Sequence, residues 1–315
     1  MKIKDIGGEF ALINRLKNQN KGLIKGIGDD CAIVNINGKK FVVTTDTLVE
    51  GDHFSFNWFT PEQVGMKAIE INVSDIGAMG GKPLFCLISL VLPKDIEVEV
   101  IDNIYKGMQK SAAKYNLNVI GGNMTHGQQL VIDVDMFGTV EEGDLCQRKD
   151  AKPGDFIFVT GDLGASTAGL KLYQAGKKPV GYVKRKHIEP KAQFHKVKPF
   201  LKYINAMIDV SDGLASDVTR ICEQADCGAI IYADNVPIRD ETRLAAKRLC
   251  NNPVDYALFG GEDFELIFTV SEKNLKNVKG YLVGEITKKK GVRIFKSGKE
   301  TPLKTHGYDH FLSKS

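Results

Sequence analysis

From Thr60 to Pro83 the apolar residues recur at helical spacing. Thr60 suits an N-cap, Pro61 the first helical position, and Gln63 can close a capping box, so a helix is predicted to begin there. Val64, Ala68, Ile71 and Met79 form one stripe, Asp75 falls within it, and Gly80, Gly81 and Pro83 end the helix. A carboxylate among apolar positions needs a cation or several hydrogen-bond donors. No Lys or Arg lies one turn away on that face.

Upstream, a short helix is expected over roughly Glu9 to Lys17, followed by the turn-rich GIGDDCAIV, Gly26 to Val34. Asp29 and Asp30 there suit either a plain β-turn or a ligand role. The β-branched run Phe41 to Thr45 predicts a strand that ends in Thr44, Thr45 and Asp46 before a loop leading to His53. Those side chains offer hard oxygen ligands, whereas a lone His such as His53 is more often a satisfied structural residue. Beyond the Asp75 helix come a continuous apolar strand, Leu84 to Pro93, and an amphipathic helix from about Glu97 to Tyr115. A strand from Val119 then enters Gly121-Gly122 and a polar loop holding Asn123; the double glycine would admit a phosphate close to backbone. Leu130 to Val140 alternates, so one face of that strand is solvated or an interface. Gln147 to Lys149 and the loop Asp150 to Asp155 mark a domain boundary, giving residues 1–147 and 148–315.

The second half opens with a strand, Phe156 to Gly161, and a glycine-punctuated helix start, Asp162 to Leu170; a variable connection covers about Ala175 to Tyr203. The strand Ala206 to Val210 then runs into Ser211-Asp212-Gly213 and a helix with the stripe Leu214, Val218, Ile221 and Ala225. Asp209 and Asp212 at this helix start either stabilise its dipole or share a bridging cation. Val73-Ser74-Asp75 is echoed by Val210-Ser211-Asp212, which suggests two halves of similar architecture. Ala257 to Val270 again passes from a double glycine through acids, Glu262 and Asp263, into a strand, and the chain closes on the aromatic, polar segment His306 to Phe311.

At 315 residues and 43% hydrophobic content the chain can bury a large core in two domains. A net charge of +4, and a Lys288-Lys289-Lys290 run that reads as a turn, give no footprint for nucleic acid. No apolar run is long enough to span a membrane, and MKIKDIGGEF lacks the core of a signal peptide. Six cysteines without CxxC spacing fit a reducing compartment, so a cytoplasmic protein is expected.

Together, Asp30, Asp46, Asp75, Asp209 and Asp212, with Thr44, Thr45, Ser211 and the amide oxygen of Asn123, form an oxygen-only set. It suits Mg²⁺, which prefers hard oxygen and bridges to phosphates. Without GxxxxGK[ST], HRD or DFG motifs, a nucleotide would be held by carboxylate-bound magnesium and glycine backbone. That points to phosphoryl transfer without a covalent nucleophile.

GIGDDCA, TTDTLVEGDHF, NVSDIGAMGG, GGN, RKDAKPGD, DVSDGLASD, FGGEDFEL and GYDHF run in order from about Gly8 to Phe311. In this set the chain resembles the thiamine-monophosphate kinases, within the superfamily that includes aminoimidazole ribonucleotide synthetase. The resemblance implies an α/β (α+β) two-domain fold: an N-terminal ATP- and magnesium-binding domain whose sheet pairs across a homodimer, and a C-terminal α/β domain completing the active site. It implies an ATP-dependent phosphotransferase with a phosphate acceptor, converting thiamine monophosphate to thiamine diphosphate by direct in-line transfer with several Mg²⁺ ions. By the same resemblance Asp30, Thr44, Thr45, Asp46, Asp75, Asn123, Asp209 and Asp212 are the magnesium shell. Gly122, Asn123, Arg148 and Ser211 would touch ATP, while His53, Glu262 and Tyr308 would contact thiamine monophosphate, Tyr308 through its aromatic face. The chain departs from the family pattern twice, with Asn123 where Asp is frequent and Tyr308 where Trp is frequent.

Two alternatives stand beside this one: another ATP-dependent enzyme of the superfamily, of aminoimidazole ribonucleotide synthetase type, and a non-catalytic dimeric nucleotide-binding scaffold. The GDHF loop and GYDHF tail fit the kinase better, and the intact acids with His53 oppose the scaffold. Relatives that depend on a reactive cysteine near either end are not matched, because the first cysteine is Cys31 and the last Cys250.

Overall fold

Alternating and β-branched runs pair into strands here, and the helical-period stretches cover them. The computed structural model describes residues 2–16 and 23–303, so Tyr308 and the rest of the aromatic tail lie outside the described residues. In chain order the first half comprises α1 (Glu9–Leu16), β1 (Leu23–Lys25), β2 (Ala32–Ile36), β3 (Lys39–Val49), α2 (Pro61–Ala78), β4 (Lys82–Leu92), α3 (Val98–Tyr115), β5 (Asn118–His126) and β6 (Val131–Thr139). Its strands form one sheet in the order β1-β2-β3-β6-β4-β5. All neighbours are antiparallel except β4 and β5, which α3 connects as a crossover. As its alternation predicts, β6 turns Ile132, Val134 and Met136 into the core and leaves the intervening residues partly exposed.

The Asp75 helix is α2, and it starts as expected. The Thr60 hydroxyl accepts from the Gln63 amide at 3.3 Å and the Gln63 side chain accepts from the Thr60 amide at 3.0 Å. Its burial, however, is not confined to one stripe. Lys67, Glu70, Asn72 and Ser74 are buried alongside Val64, Ile69, Ile71 and Ile76, because α2 is enclosed by α3, by β3, β4 and β6, and by elements of the second half. Reciprocal glycines set its approach to α3. A Cβ on Gly65 would sit 1.9 Å from the Ile104 carbonyl oxygen, and one on Gly107 would sit 1.9 Å from that of Glu62.

Two strands run further than their sequence suggests. β3 does not end at Thr44-Thr45-Asp46; it continues to Val49 because β6 pairs with it at every position from Phe41. β5 passes straight through Gly121, Gly122 and Asn123 instead of releasing them into a loop. Any side chain at Gly122 would meet the Ile88 carbonyl oxygen at 1.7 Å, so the glycine closes β5 onto β4.

The second half comprises β7 (Phe156–Val159), α4 (Ala165–Gln174), α5 (Gly181–Ile188), α6 (Phe194–Val197), β8 (Ala206–Asp209), α7 (Leu214–Gln224), β9 (Gly228–Tyr232), α8 (Asp240–Arg248), α9 (Pro253–Phe259), β10 (Leu266–Val270), β11 (Tyr281–Thr287), β12 (Gly291–Lys296) and β13 (Lys299–Pro302). Its sheet has the order β13-β12-β9-β11-β7-β10-β8, with β9 and β12 its one parallel pair. The stretch expected to be a variable connection instead holds α5, α6 and a 3-10 turn, Lys198–Tyr203, which pack α2 against the second half. Each sheet packs its own core, around Ile69 and Ile88 in the first half and around Ile208 and Val218 in the second. All six cysteines are free, and Cys250 alone among them is exposed. No described helix is long and apolar enough to cross a membrane.

Candidate active site

Carboxylates from distant parts of the chain converge where α2 meets β8. One oxygen each of Asp30, ahead of β2, Asp75 on α2 and Asp209 at the end of β8 lie within 4.8 Å of one another. The Thr44 hydroxyl donates to Asp75 Oδ2 at 2.6 Å and the Ser74 hydroxyl donates to Asp209 Oδ2 at 2.7 Å. Arginines border the cluster. Arg148, in the 3-10 turn Arg148–Asp150, pairs with Asp30 and accommodates Asp29 through its backbone amide at 3.0 Å; Arg220 on α7 pairs with Asp212 and lies 3.7 Å from Asp217.

Crowding acids in a desolvated site disfavours their charged forms. Burial first, then the charges of Asp133, Asp30 and Asp212, push Asp46 up to about 7. Burial and Asp30 likewise push Asp209 up to about 7, against the Ser74 hydrogen bond. Asp75 is driven well above the carboxylate range by burial and by Asp46, Asp209 and Asp30, while Asp30 is raised by burial despite Arg148. Asp30 Oδ2 and Asp209 Oδ1 are buried with no hydrogen-bond partner. Bare carboxylate oxygens and hydroxyl neighbours fit a hard divalent cation such as Mg²⁺, and the Cys31 thiol beside them is pushed well up by burial and by the charge of Asp75.

A second group lies two turns back along α2. Lys67 Nζ donates to Glu262 Oε1 at 2.5 Å and to the His53 carbonyl oxygen at 2.8 Å, and stands 5.5 Å from the centre of the Phe59 ring. Val49 donates its amide to His53 Nδ1 at 3.1 Å. His187 on α5 brings Nδ1 to 3.8 Å from Glu262 Oε2. Burial raises the Glu262 pKa, but Lys67 and then His187 and His53 outweigh it, and the carboxyl stays below its usual range.

The loop that carries Glu262 is anchored from beneath. Asp263 accepts from the Gly164 and Ser166 amides at 2.5 and 3.1 Å, at the start of α4. Glu265 accepts from Thr160, Lys186 and Lys196 at 2.7, 3.0 and 2.8 Å. The Glu262 amide donates to the Ser211 carbonyl oxygen at 2.9 Å, and a Cβ on Gly261 would stand 2.0 Å from that same oxygen, so the double glycine brings this loop to the start of α7.

Similarity to known proteins follows the same two halves. Residues 28–140 match the family model of the AIR synthase related protein N-terminal domain, and residues 152–296 match that of its C-terminal domain. Thiamine-monophosphate kinase of Aquifex aeolicus (strain VF5) is 37% identical over 99% of this chain and 100% of its own length. That of Bacillus subtilis (strain 168) is 35% identical over 96% of this chain and 99% of its own. The chain belongs to the thiamine-monophosphate kinase family. A solved structure of AaThiL complexed with AMPPCP and TMP superimposes with a TM-score of 0.90 at 36% identity, covering 99% of both chains.

Against the thiamine-monophosphate kinase pattern read from the sequence, Asp30, Thr44, Asp75 and Asp209 gather at the first group with Arg148 beside them, and the charges of Asp46 and Asp212 act on one another there. His53 and Glu262 gather at the second. Strand alternation turns Thr45 the other way, where its hydroxyl donates to Asp133 at 3.5 Å. Gly122 and Asn123 stay exposed on β5, three strands from β3 in the sheet order, a separation of about 14 Å. Sequence reasoning passed over Lys67, His187, Asp217 and Arg220. Asp217 and Arg220 carried a signal, lying five and eight residues beyond Asp212 on a predicted helix, whereas His187 lay in the stretch read as variable.

Proposed function

We propose that this protein is a thiamine-monophosphate kinase, transferring the γ-phosphoryl group of ATP to the phosphate of thiamine monophosphate to give ADP and thiamine diphosphate. The observation that carries this reading is the meeting of Asp30 and Asp209, each with a buried bare oxygen, at Asp75, which stands on the same helix as Lys67, the partner of Glu262. Lys67 and Asp75 are eight residues apart, about 12 Å along α2. One end of this span is suited to phosphates with their cations, and the other, through Glu262, to a positively charged ring.

Asp30, Thr44, Asp46, Asp75, Asp209 and Asp212 would hold several magnesium ions; Thr45, whose hydroxyl turns to Asp133, would reach one only through its backbone oxygen, and Asn123 would supply an uncharged oxygen at a separate position on β5. A magnesium ion held by these groups would supply positive charge to offset that of the polyphosphate. The chain itself supplies position and charge: Arg148, Ser211, Gly122 and Asn123 toward ATP, and His53, Glu262 and Tyr308 toward the thiamine end. No residue is required as a nucleophile, because a substrate phosphate oxygen attacks in line.

We also assign metal binding, ATP binding and dimerisation to residues 1–147, and completion of the site to 148–315. β5 supports the homodimer: it is the outer strand of its sheet, and Ile120 and Met124 on it are each 59% exposed. A long apolar edge of this kind invites pairing with a second copy, which would place Gly122 and Asn123 at the interface.

Purified protein incubated with ATP, Mg²⁺ and thiamine monophosphate is expected to form thiamine diphosphate, with an aminoimidazole ribonucleotide precursor as the unreactive control. Asp75→Asn is expected to lower turnover about 100-fold or more, the scale of losing one electrostatic group from a reacting centre. Its melting temperature should stay within a few degrees, since the change relieves repulsion among acids. Consumption of the control instead, or near-normal turnover by the variant, would overturn the reading or remove Asp75 from the metal shell, respectively.

A further inference from the structure

Lys67 has no exposed surface, yet it carries a full charge into the junction between the two halves. Taking an ammonium group out of water costs several kcal/mol unless charged and polar partners replace the solvent. Its partners are the His53 carbonyl oxygen at 2.8 Å and Glu262 Oε1 at 2.5 Å, one from each half, with the Phe59 ring face beside them. Both partners belong to residues assigned above to the thiamine end.

The pair is asymmetric. Lys67 is wholly enclosed, whereas the Glu262 side chain keeps 29% of its surface exposed. Glu262 is also held in the left-handed backbone region, φ 62°, which a glutamate adopts at a cost of about 1 kcal/mol or more. A cation therefore grips one carboxylate oxygen from behind, and the other stands toward His187 and solvent.

We infer that Lys67 is a positioning residue for the cationic half of the substrate: from behind the wall of the site, itself held on the His53 carbonyl oxygen, it fixes the Glu262 carboxylate in one arrangement, presenting a negative charge to the thiazolium ring. This rests on the kinase reading and adds to it the residue that orders its ring-binding end. The groups facing Glu262 are Lys67 from α2, His187 from α5 and His53 from the loop after β3. Of these Lys67 supplies the largest opposing charge. Without it, burial is opposed only by the two histidines, and Glu262 takes up its proton at a higher pH than in the wild type.

Calorimetric titration of the full-length protein with thiamine monophosphate, and separately with a non-hydrolysable ATP analogue, tests this in the wild type, Lys67→Met, Glu262→Gln and the double variant. Lys67→Met is expected to weaken thiamine monophosphate binding at least tenfold and the ATP analogue less than threefold. The ratio of its affinity to that of the wild type at the same pH should fall further between pH 8 and pH 5.5, since the substrate phosphate, Asp46 and Asp209 titrate in both proteins and only Glu262 differs. The double variant should bind thiamine monophosphate no more weakly than Glu262→Gln alone, because Lys67 acts through Glu262. Should Lys67→Met fail to fold, this last comparison decides, since the double variant leaves no charge unpaired. Wild-type affinity in Lys67→Met with a pH-independent ratio to the wild type, or a further tenfold loss in the double variant, overturns the inference while leaving the kinase reading intact. Wild-type protein that binds no thiamine monophosphate overturns both.

Discussion

His187 is 3% exposed, its ring tilted against Trp58 and Tyr173 and edge-on to Phe59, with Glu262 and Lys67 beyond. Burial pushes its pKa down to about 4 from an ordinary 6.5. Between those values the unfolded chain binds a proton that the folded chain refuses, so stability falls as pH drops from 6.5 to 4 and this loss is complete below that. A shift of that size corresponds to about 3 kcal/mol. Urea unfolding at pH 7 and pH 4.5 should show the wild type losing about 2 to 3 kcal/mol more than His187→Gln; equal losses would mean that His187 charges freely in the folded protein. Nothing near His187 in the sequence announces this environment, because its neighbours Trp58 and Glu262 lie on other segments. Asp75 was legible for the opposite reason. Helical spacing alone put it among apolar positions, and the absence of a nearby cation on that face already required partners from elsewhere.

At the scale of elements, α2 joins the two groups of the site, and its fit against α3 depends on two backbones in contact. Gly107→Ala should destabilise the protein by about 3 kcal/mol, the upper range for an overpacked core, because the new methyl meets the Glu62 carbonyl oxygen and the helices must part. Thermal unfolding measures this; a variant within 0.5 kcal/mol of wild type would show that the helices separate freely. The elements with local signals were readable from the chain. Thr60, Pro61 and Gln63 mark the start of α2, and the alternation of β6 is visible by eye. β5 and the extension of β3 were not, since glycine and Thr-Thr-Asp read locally as breaks, and only pairing with β4 and β6 keeps those strands going. α5 and α6 carry no local signal, because short helices gain their order from packing, α5 against α4 and α2 and α6 against α2, rather than from their own periodicity.

At the scale of the whole molecule, the proposed homodimer follows from β5. Light scattering should give a mass near twice 34.7 kDa for the wild type and close to 34.7 kDa for Ile120→Lys/Met124→Lys, since charges on an edge strand oppose pairing. A monomeric wild type, or a variant that remains dimeric, would exclude this edge as the interface. The echo of Val-Ser-Asp between the halves drew attention to both segments, but the Ser74–Asp209 hydrogen bond that joins them became visible only with the chain folded. Because Lys67 and Asp75 stand on one uninterrupted helix, the backbone distance between the two groups cannot change unless α2 itself unwinds. Under the proposed function the helix would act as a fixed gauge of ligand length, rejecting by reach what no single side chain would need to reject by contact.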